Sequence, residues 1–132
     1  MGTPLTQGRT ADAVLAEELQ DPEFRAYWER TALGRAVALR LVRYRAEHGL
    51  TQGQLARRLD MKQPQIARLE TGESSPKVET LVRLANELGV EFLIDVRPAS
   101  RQPGWASPEA RDAEVVEEVQ TAGGGHLLVA AS

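Results

Sequence analysis

Apolar positions between residues 35 and 90 recur at helical spacing in four short runs, and each run is closed by a residue that ends or caps a helix. Asp21-Pro22-Glu23 supplies an N-cap, a first-turn proline and a first-turn acid. The helix predicted from there carries Val37, Leu41 and Tyr44 on one face, has a weak point at Gly34 and runs to Ala46 or Glu47, before Gly49. Thr51 with Gln54 three positions on forms a capping box, and Leu50 with Leu55 a hydrophobic staple; Leu55, Ala56 and Leu59 then mark a helix over 52–59. Pro64 in a first turn, Ile66 and Leu69 on one face, and Gly72 as C-cap predict a helix over 63–71. A last helix over 78–88 ends at Gly89. At 90–97 the period changes: Val90, Phe92, Ile94 and Val96 alternate with Glu91, Leu93, Asp95 and Arg97, as in a strand with one apolar face. Residues 11–19 show a short helical pattern, and residues 1–10 read as disordered. Residues 99–107 read as a linker. Ser107-Pro108-Glu109 could cap a short acidic helix to about Gln120. The end that follows, from Gly123, is either disordered or ordered only by a partner.

Two helices as short as 52–59 and 63–71 cannot bury much alone, so they must pack as a corner against other helices. That is the geometry of a helix-turn-helix, whose second helix can enter the DNA major groove. The residues Leu50, Thr51, Gln52, Leu55, Ala56, Gln63, Ile66, Glu70, Gly72, Pro76, Thr80, Leu81, Leu84, Ala85, Leu88, Gly89 and Val90 stand in register with a known pattern. The segment resembles the helix-turn-helix of the phage-repressor and Cro-like (XRE) family over residues 35–90. One departure is Asp60, which stands where the family usually has glycine in the turn; Asp tolerates left-handed backbone better than most residues.

The resemblance implies an all-α fold: a five-helix phage-repressor-like domain at 34–98, with one strand at its C-terminal end. It lies between an acidic arm at 1–33 and an acidic, largely disordered tail at 99–132. It also implies roles. Gln63, Pro64, Gln65 and Arg68 become base contacts: a glutamine can bond adenine in a bidentate manner, an arginine guanine, and Pro64 can touch a thymine methyl. Gln52 would bond a phosphate and brace Gln63. Lys62, Arg57, Arg58, Lys77 and Arg43 are phosphate candidates, although any one of them alone could be an ordinary surface charge. Arg45 and Glu70 would form an ion pair that orients the reading helix without touching DNA. His48 falls at a packing position rather than a ligand position. A lone strand in a helical domain has no ladder partner, so Val90, Phe92, Ile94 and Val96 are expected to pair with their copies in a homodimer; the alternative is pairing with an N-terminal segment.

Charge sharpens this picture. The chain carries −3 overall, but residues 1–33 hold three Arg against six acids, 34–98 hold eleven Lys and Arg against eight acids, and 99–132 hold two Arg against five acids. A basic centre between acidic arms suits phosphate contact at the centre, because DNA affinity follows local charge. No cysteine and two histidines disfavour a metal site, and no nucleophile–base pair or phosphate loop points to an enzyme or a cofactor. No apolar run approaches a membrane span and the first residues lack a signal peptide's apolar core, so the expected location is the cytoplasm. The order of acidic arm, helix-turn-helix and strand is also similar to antitoxins of type II toxin–antitoxin systems, of the HigA and HipB kind. That likeness implies a homodimer that binds an inverted-repeat operator, represses its own operon and holds a protein toxin. The alternative is a stand-alone regulator of the same family. Leu15, Leu19, Phe24, Tyr27 and Trp28 are candidate anchors for the partner, the aromatic three being either that or additional core.

Overall fold

The computed structural model describes residues 10–98, 114–120 and 125–131. Expectations for residues 1–9, the 99–107 linker and the 107–109 cap lie outside these residues. The chain divides between Arg30 and Thr31 into two units. The first holds α1 (Ala11–Glu18) and α2 (Pro22–Arg30). Thr10 caps α1, its hydroxyl accepting from the Ala13 amide at 3.1 Å, and Asp21 accepts from the Glu23 amide at 3.1 Å at the start of α2. Phe24 stacks on Trp28 at 5.9 Å between centroids, and the Arg30 guanidinium lies over the Tyr27 ring. Neither helix contains a buried residue.

The second unit holds α3 (Ala32–His48), α4 (Gln52–Arg58), α5 (Gln63–Thr71) and α6 (Val78–Leu88), followed by β1 (Phe92–Pro98), β2 (Glu114–Gln120) and β3 (Gly125–Ala131). Val37, Leu41 and Tyr44 of α3, Leu55 and Ala56 of α4 with its C-cap Leu59, Ile66 of α5, and Leu84 and Leu88 of α6 meet in one core. These are the positions that helical spacing sets on one face of each helix. Helix α5 packs on both α3 and α4, and Ile66 is its buried anchor. Thr51 and Gln54 form the reciprocal cap of α4, with amide-to-side-chain bonds of 2.9 and 3.1 Å. Gly49, Gly72 and Gly89 end α3, α5 and α6 in left-handed backbone.

The turn between α4 and α5 requires the same backbone at Asp60, whose φ is +55°. Left-handed backbone costs a non-glycine residue roughly 1–2 kcal/mol, and glycine returns about 0.5–1 kcal/mol of that as lost chain entropy. Asp60→Gly should therefore raise stability by up to about 1 kcal/mol, while Asp60→Ala, without the local polar side chain, should lower it by a similar amount. Urea denaturation of the three proteins should give the order Gly, Asp, Ala; aspartate above glycine would show that its carboxylate holds the turn more tightly than the strain opposes it.

Several expectations are corrected. Strand β1 has an in-chain partner: it pairs antiparallel with β3, Phe92 opposite Ala131 and Asp95 opposite Leu128. β2 pairs with the far side of β3, giving the order β1-β3-β2. The premise that β1 must find its ladder in a second copy therefore falls. Val90 lies before the strand, 6% exposed in the core, and Phe92 packs against that core. Ile94 and Val96, on the apolar side of the strand, are 37% and 75% exposed. The predicted helix ending at Gln120 is replaced by β2, and the apolar end is β3. Residues 114–120 include three valines, a residue type that favours a strand once a ladder is available. The predicted helix from Pro22 breaks at Thr31, not Gly34; six helices are described in all, and four of them, α3 to α6, make up the domain at 34–98 in which five were expected.

Candidate nucleic-acid interface

The start of α4 and the outer side of α5 carry the polar residues that matter most. Gln63, Pro64, Gln65 and Arg68 are all exposed on α5, and Lys62 is exposed just before it. Behind them runs a continuous polar chain. Arg45 on α3 donates from Nε to Glu70 Oε2 at 2.6 Å and from Nη2 to Glu70 Oε1 at 2.8 Å, a two-point pair. Arg45 Nη1 donates to the Leu50 carbonyl at 3.1 Å, which ties α3 to the entry of α4. Gln52 Nε2 donates to Glu70 Oε1 at 2.9 Å, and Gln63 Nε2 donates to Gln52 Oε1 at 2.8 Å. Four side chains thus link α3, α4 and α5.

The Glu70 side chain is 6% exposed. Burial alone would raise its pKa, but the bonds from Arg45 and Gln52 together with the Arg45 charge hold the carboxyl below the ordinary glutamate range. The Glu70 bond raises the Arg45 pKa despite burial. The pair stays ionised at neutral pH.

The other candidates separate by environment. Gln65 Oε1 accepts from the Lys62 amide at 2.8 Å, so it caps α5 and its NH2 remains to be offered outward. Lys62, Arg57, Lys77 and Arg43 are exposed. Arg58 donates to the Tyr44 hydroxyl at 3.1 Å, which tethers it to α3. His48 is exposed, not packed in the core: its ring stacks on Tyr44 at 4.0 Å, and its Nδ1 lies 2.9 Å from the Tyr44 carbonyl. Among the described residues no group of three or more His, Cys, Asp or Glu could hold a metal ion. No described helix is long and apolar enough to cross a membrane.

Two residues carry roles that the sequence pattern does not announce. Arg83 on α6 donates to the Asp60 carbonyl at 3.4 Å, so α6 supports the turn. Arg35 on α3 donates from Nη2 to Glu117 on β2 at 2.6 Å. Both pairings join residues far apart in sequence, and no local spacing signals them.

A family model described as helix-turn-helix matches residues 41–94. Over 67 residues the chain is 37% identical to y4dJ, an uncharacterized HTH-type transcriptional regulator of Sinorhizobium fredii, a match covering 51% of this chain and 87% of that protein. Over 54 residues it is 41% identical to an uncharacterized HTH-type transcriptional regulator of Haemophilus influenzae, covering 41% of this chain and 55% of that one. Over 100 residues it is 29% identical to Antitoxin HigA1 of Mycobacterium tuberculosis, covering 74% of this chain and 64% of the antitoxin. The matches thus span between about half and two thirds of the length of the last two relatives. No solved structure matches the chain. With the helix-turn-helix model over α4 and α5 and most of the Sinorhizobium regulator covered, the chain belongs to the XRE-type helix-turn-helix family.

Proposed function

We propose that this protein is a sequence-specific DNA-binding transcriptional repressor whose α5 reads bases in the major groove. The observation that carries this reading is the linkage of exposed Gln63 to Gln52, Glu70 and Arg45, because a base-reading side chain must be held in one orientation before it meets DNA. Gln63 and Arg68 contact bases, with Pro64 against a thymine methyl and Gln65 contributing through its NH2. Gln52, Lys62, Arg57, Lys77 and Arg43 meet phosphates. Selection from randomised duplexes tests this: the wild type should enrich one sequence, and Arg68→Ala should lose about 1–3 kcal/mol of preference at one guanine. An equal loss on all sequences would make Arg68 a phosphate contact.

The repressor acts as a homodimer on an inverted repeat with half-site centres about 34–36 Å apart, or a multiple of that. Since β3 occupies one side of β1, the copy pairs along the other, where β1 is an edge of the sheet. The exposure of Val96, at 75%, supports that location. Val96→Glu should give a folded monomer in sedimentation velocity, with much weaker operator binding. A dimer of unchanged stability would move the interface elsewhere.

The protein is further proposed as the antitoxin of a toxin–antitoxin pair, with the acidic α1–α2 segment holding a basic toxin. The match to Antitoxin HigA1 supports the pairing. Helices of eight and nine residues with no buried residue gain little stability alone, so Leu15, Leu19, Phe24, Tyr27 and Trp28 are suited to a partner surface. Two relatives bear only the name of regulator, which favours a stand-alone regulator as the second reading. Co-purification with the product of the neighbouring open reading frame separates the two. Capture by the full chain and its loss in a Phe24→Ala, Trp28→Ala double variant supports the antitoxin; no capture supports the plain regulator.

A further inference from the structure

We propose that Glu70 is a positioning residue for base readout: its carboxylate fixes the amide polarity of Gln52 and, through Gln52, that of Gln63, and so selects which bases Gln63 accepts. This rests on the DNA-reading function proposed above. A carboxylate only accepts hydrogen bonds, whereas a glutamine amide can be turned over to exchange its donor and acceptor ends. Glu70 Oε1 takes one bond from Arg45 and one from Gln52 Nε2 at 2.9 Å. Gln52 must therefore face Glu70 with its NH2 group, which leaves its Oε1 on the opposite end. That oxygen takes Gln63 Nε2 at 2.8 Å. Gln63 in turn keeps its own Oε1 and a second N–H for the outside, where the residue is exposed. Turning Gln63 alone would set two amide oxygens against each other, and turning both amides would set the Gln52 oxygen against the carboxylate.

The fixed orientation has a consequence in the groove. Adenine and cytosine carry an exocyclic amino donor where thymine and guanine carry an oxygen acceptor. A glutamine of fixed polarity offers its oxygen and its N–H at set places and distinguishes the two classes; one free to turn over accepts both. Glu70, 6% exposed on its side chain, exerts this control without reaching DNA. Arg45 holds the carboxylate by two points and leaves Oε1 placed for Gln52.

Selection from a pool of randomised duplexes, read by sequencing, tests the inference with wild type, Gln63→Ala, Glu70→Gln, Gln52→Met and the Gln52→Met, Glu70→Gln double variant. Gln63→Ala identifies the operator positions that Gln63 reads. Glu70→Gln, whose side chain can itself turn over, should lower preference at those positions at least about fivefold and leave the Arg68 position sharp. Gln52→Met should do the same while keeping the Arg45–Glu70 pair, and Glu70→Gln should add nothing on top of it. A uniform loss at all positions, an untouched Gln63 position, or an effect that adds to that of Gln52→Met overturns the inference. If Glu70→Gln does not fold, Gln52→Met decides: full preference at the Gln63 position overturns the inference and its loss supports it. A wild type that enriches no sequence overturns the DNA-reading function itself, and the inference with it.

Discussion

Gly34→Ala should cost the second unit about 2–3 kcal/mol, although the same exchange in a solvent-facing helix is stabilising by about 1 kcal/mol. A Cβ at Gly34 would lie 2.6 Å from the Ser74 carbonyl oxygen and 2.8 Å from that of Gly72. Both neighbours are backbone in the segment that leaves α5, so neither can swing aside as a flexible side chain would. Overpacking of this kind costs roughly 1–3 kcal/mol, or more where backbone must shift. Gly53 in α4 provides the contrast, since its Cβ would meet nothing closer than 3.9 Å. Gly53→Ala should be neutral or stabilising by a few tenths of a kcal/mol. Chemical denaturation of both variants checks the pair, and equal effects would show that the α3 approach to residues 72–74 does not carry stability.

Glu70→Ala should destabilise the same unit by about 2–3 kcal/mol, because it leaves Arg45 and Gln52 without their shared acceptor in a mostly covered site. The value sits below the roughly 3–5 kcal/mol of a fully buried broken pair because the Arg45 side chain is 23% exposed. Pairing the change with Arg45→Met should recover part of the loss. The pH dependence has a definite sign. The carboxyl of Glu70 titrates lower in the folded chain than in the unfolded one. Its contribution is therefore fully present above the unfolded carboxylate range near 4.3 and fades as pH falls through the folded value below it. Wild type should lose this increment in acid, and Glu70→Ala should lack it at every pH. Parallel acid limbs for the two proteins would mean that Glu70 is not linked to folding.

How much of this was legible in the sequence varies with how local the cause is. Helices α4, α5 and α6 follow from features within a few residues: the Thr51–Gln54 cap, Pro64 in a first turn, and Gly72 and Gly89 in left-handed backbone. The sheet does not. The alternation at 90–97 marks a strand, but its partner begins about thirty residues later in a short apolar run that periodicity alone cannot assign. Gly34 shows the same limit from the other side. Read locally it weakens a helix; in the fold it stays within α3 and lets the 72–74 backbone come close. At the candidate interface, the resemblance supplied two separate pairs, Gln52 with Gln63 and Arg45 with Glu70, and the Gln52–Glu70 bond joins them into one chain. The supports that Arg83 and Arg35 provide depend on tertiary approach and leave no spacing to read.

The proposed placement of α5 in the major groove, where it reads bases, has a direct chemical signature. Dimethyl sulfate protection on the selected operator tests it most directly, because the reagent attacks guanine N7 on the major-groove edge. The wild type should protect one guanine in each half-site, and Arg68→Ala should expose it again at protein concentrations that still occupy the site. Guanines that stay fully reactive beneath bound wild-type protein, or protection that Arg68→Ala leaves unchanged alongside an equal result for Gln63→Ala, would rule out base reading by α5.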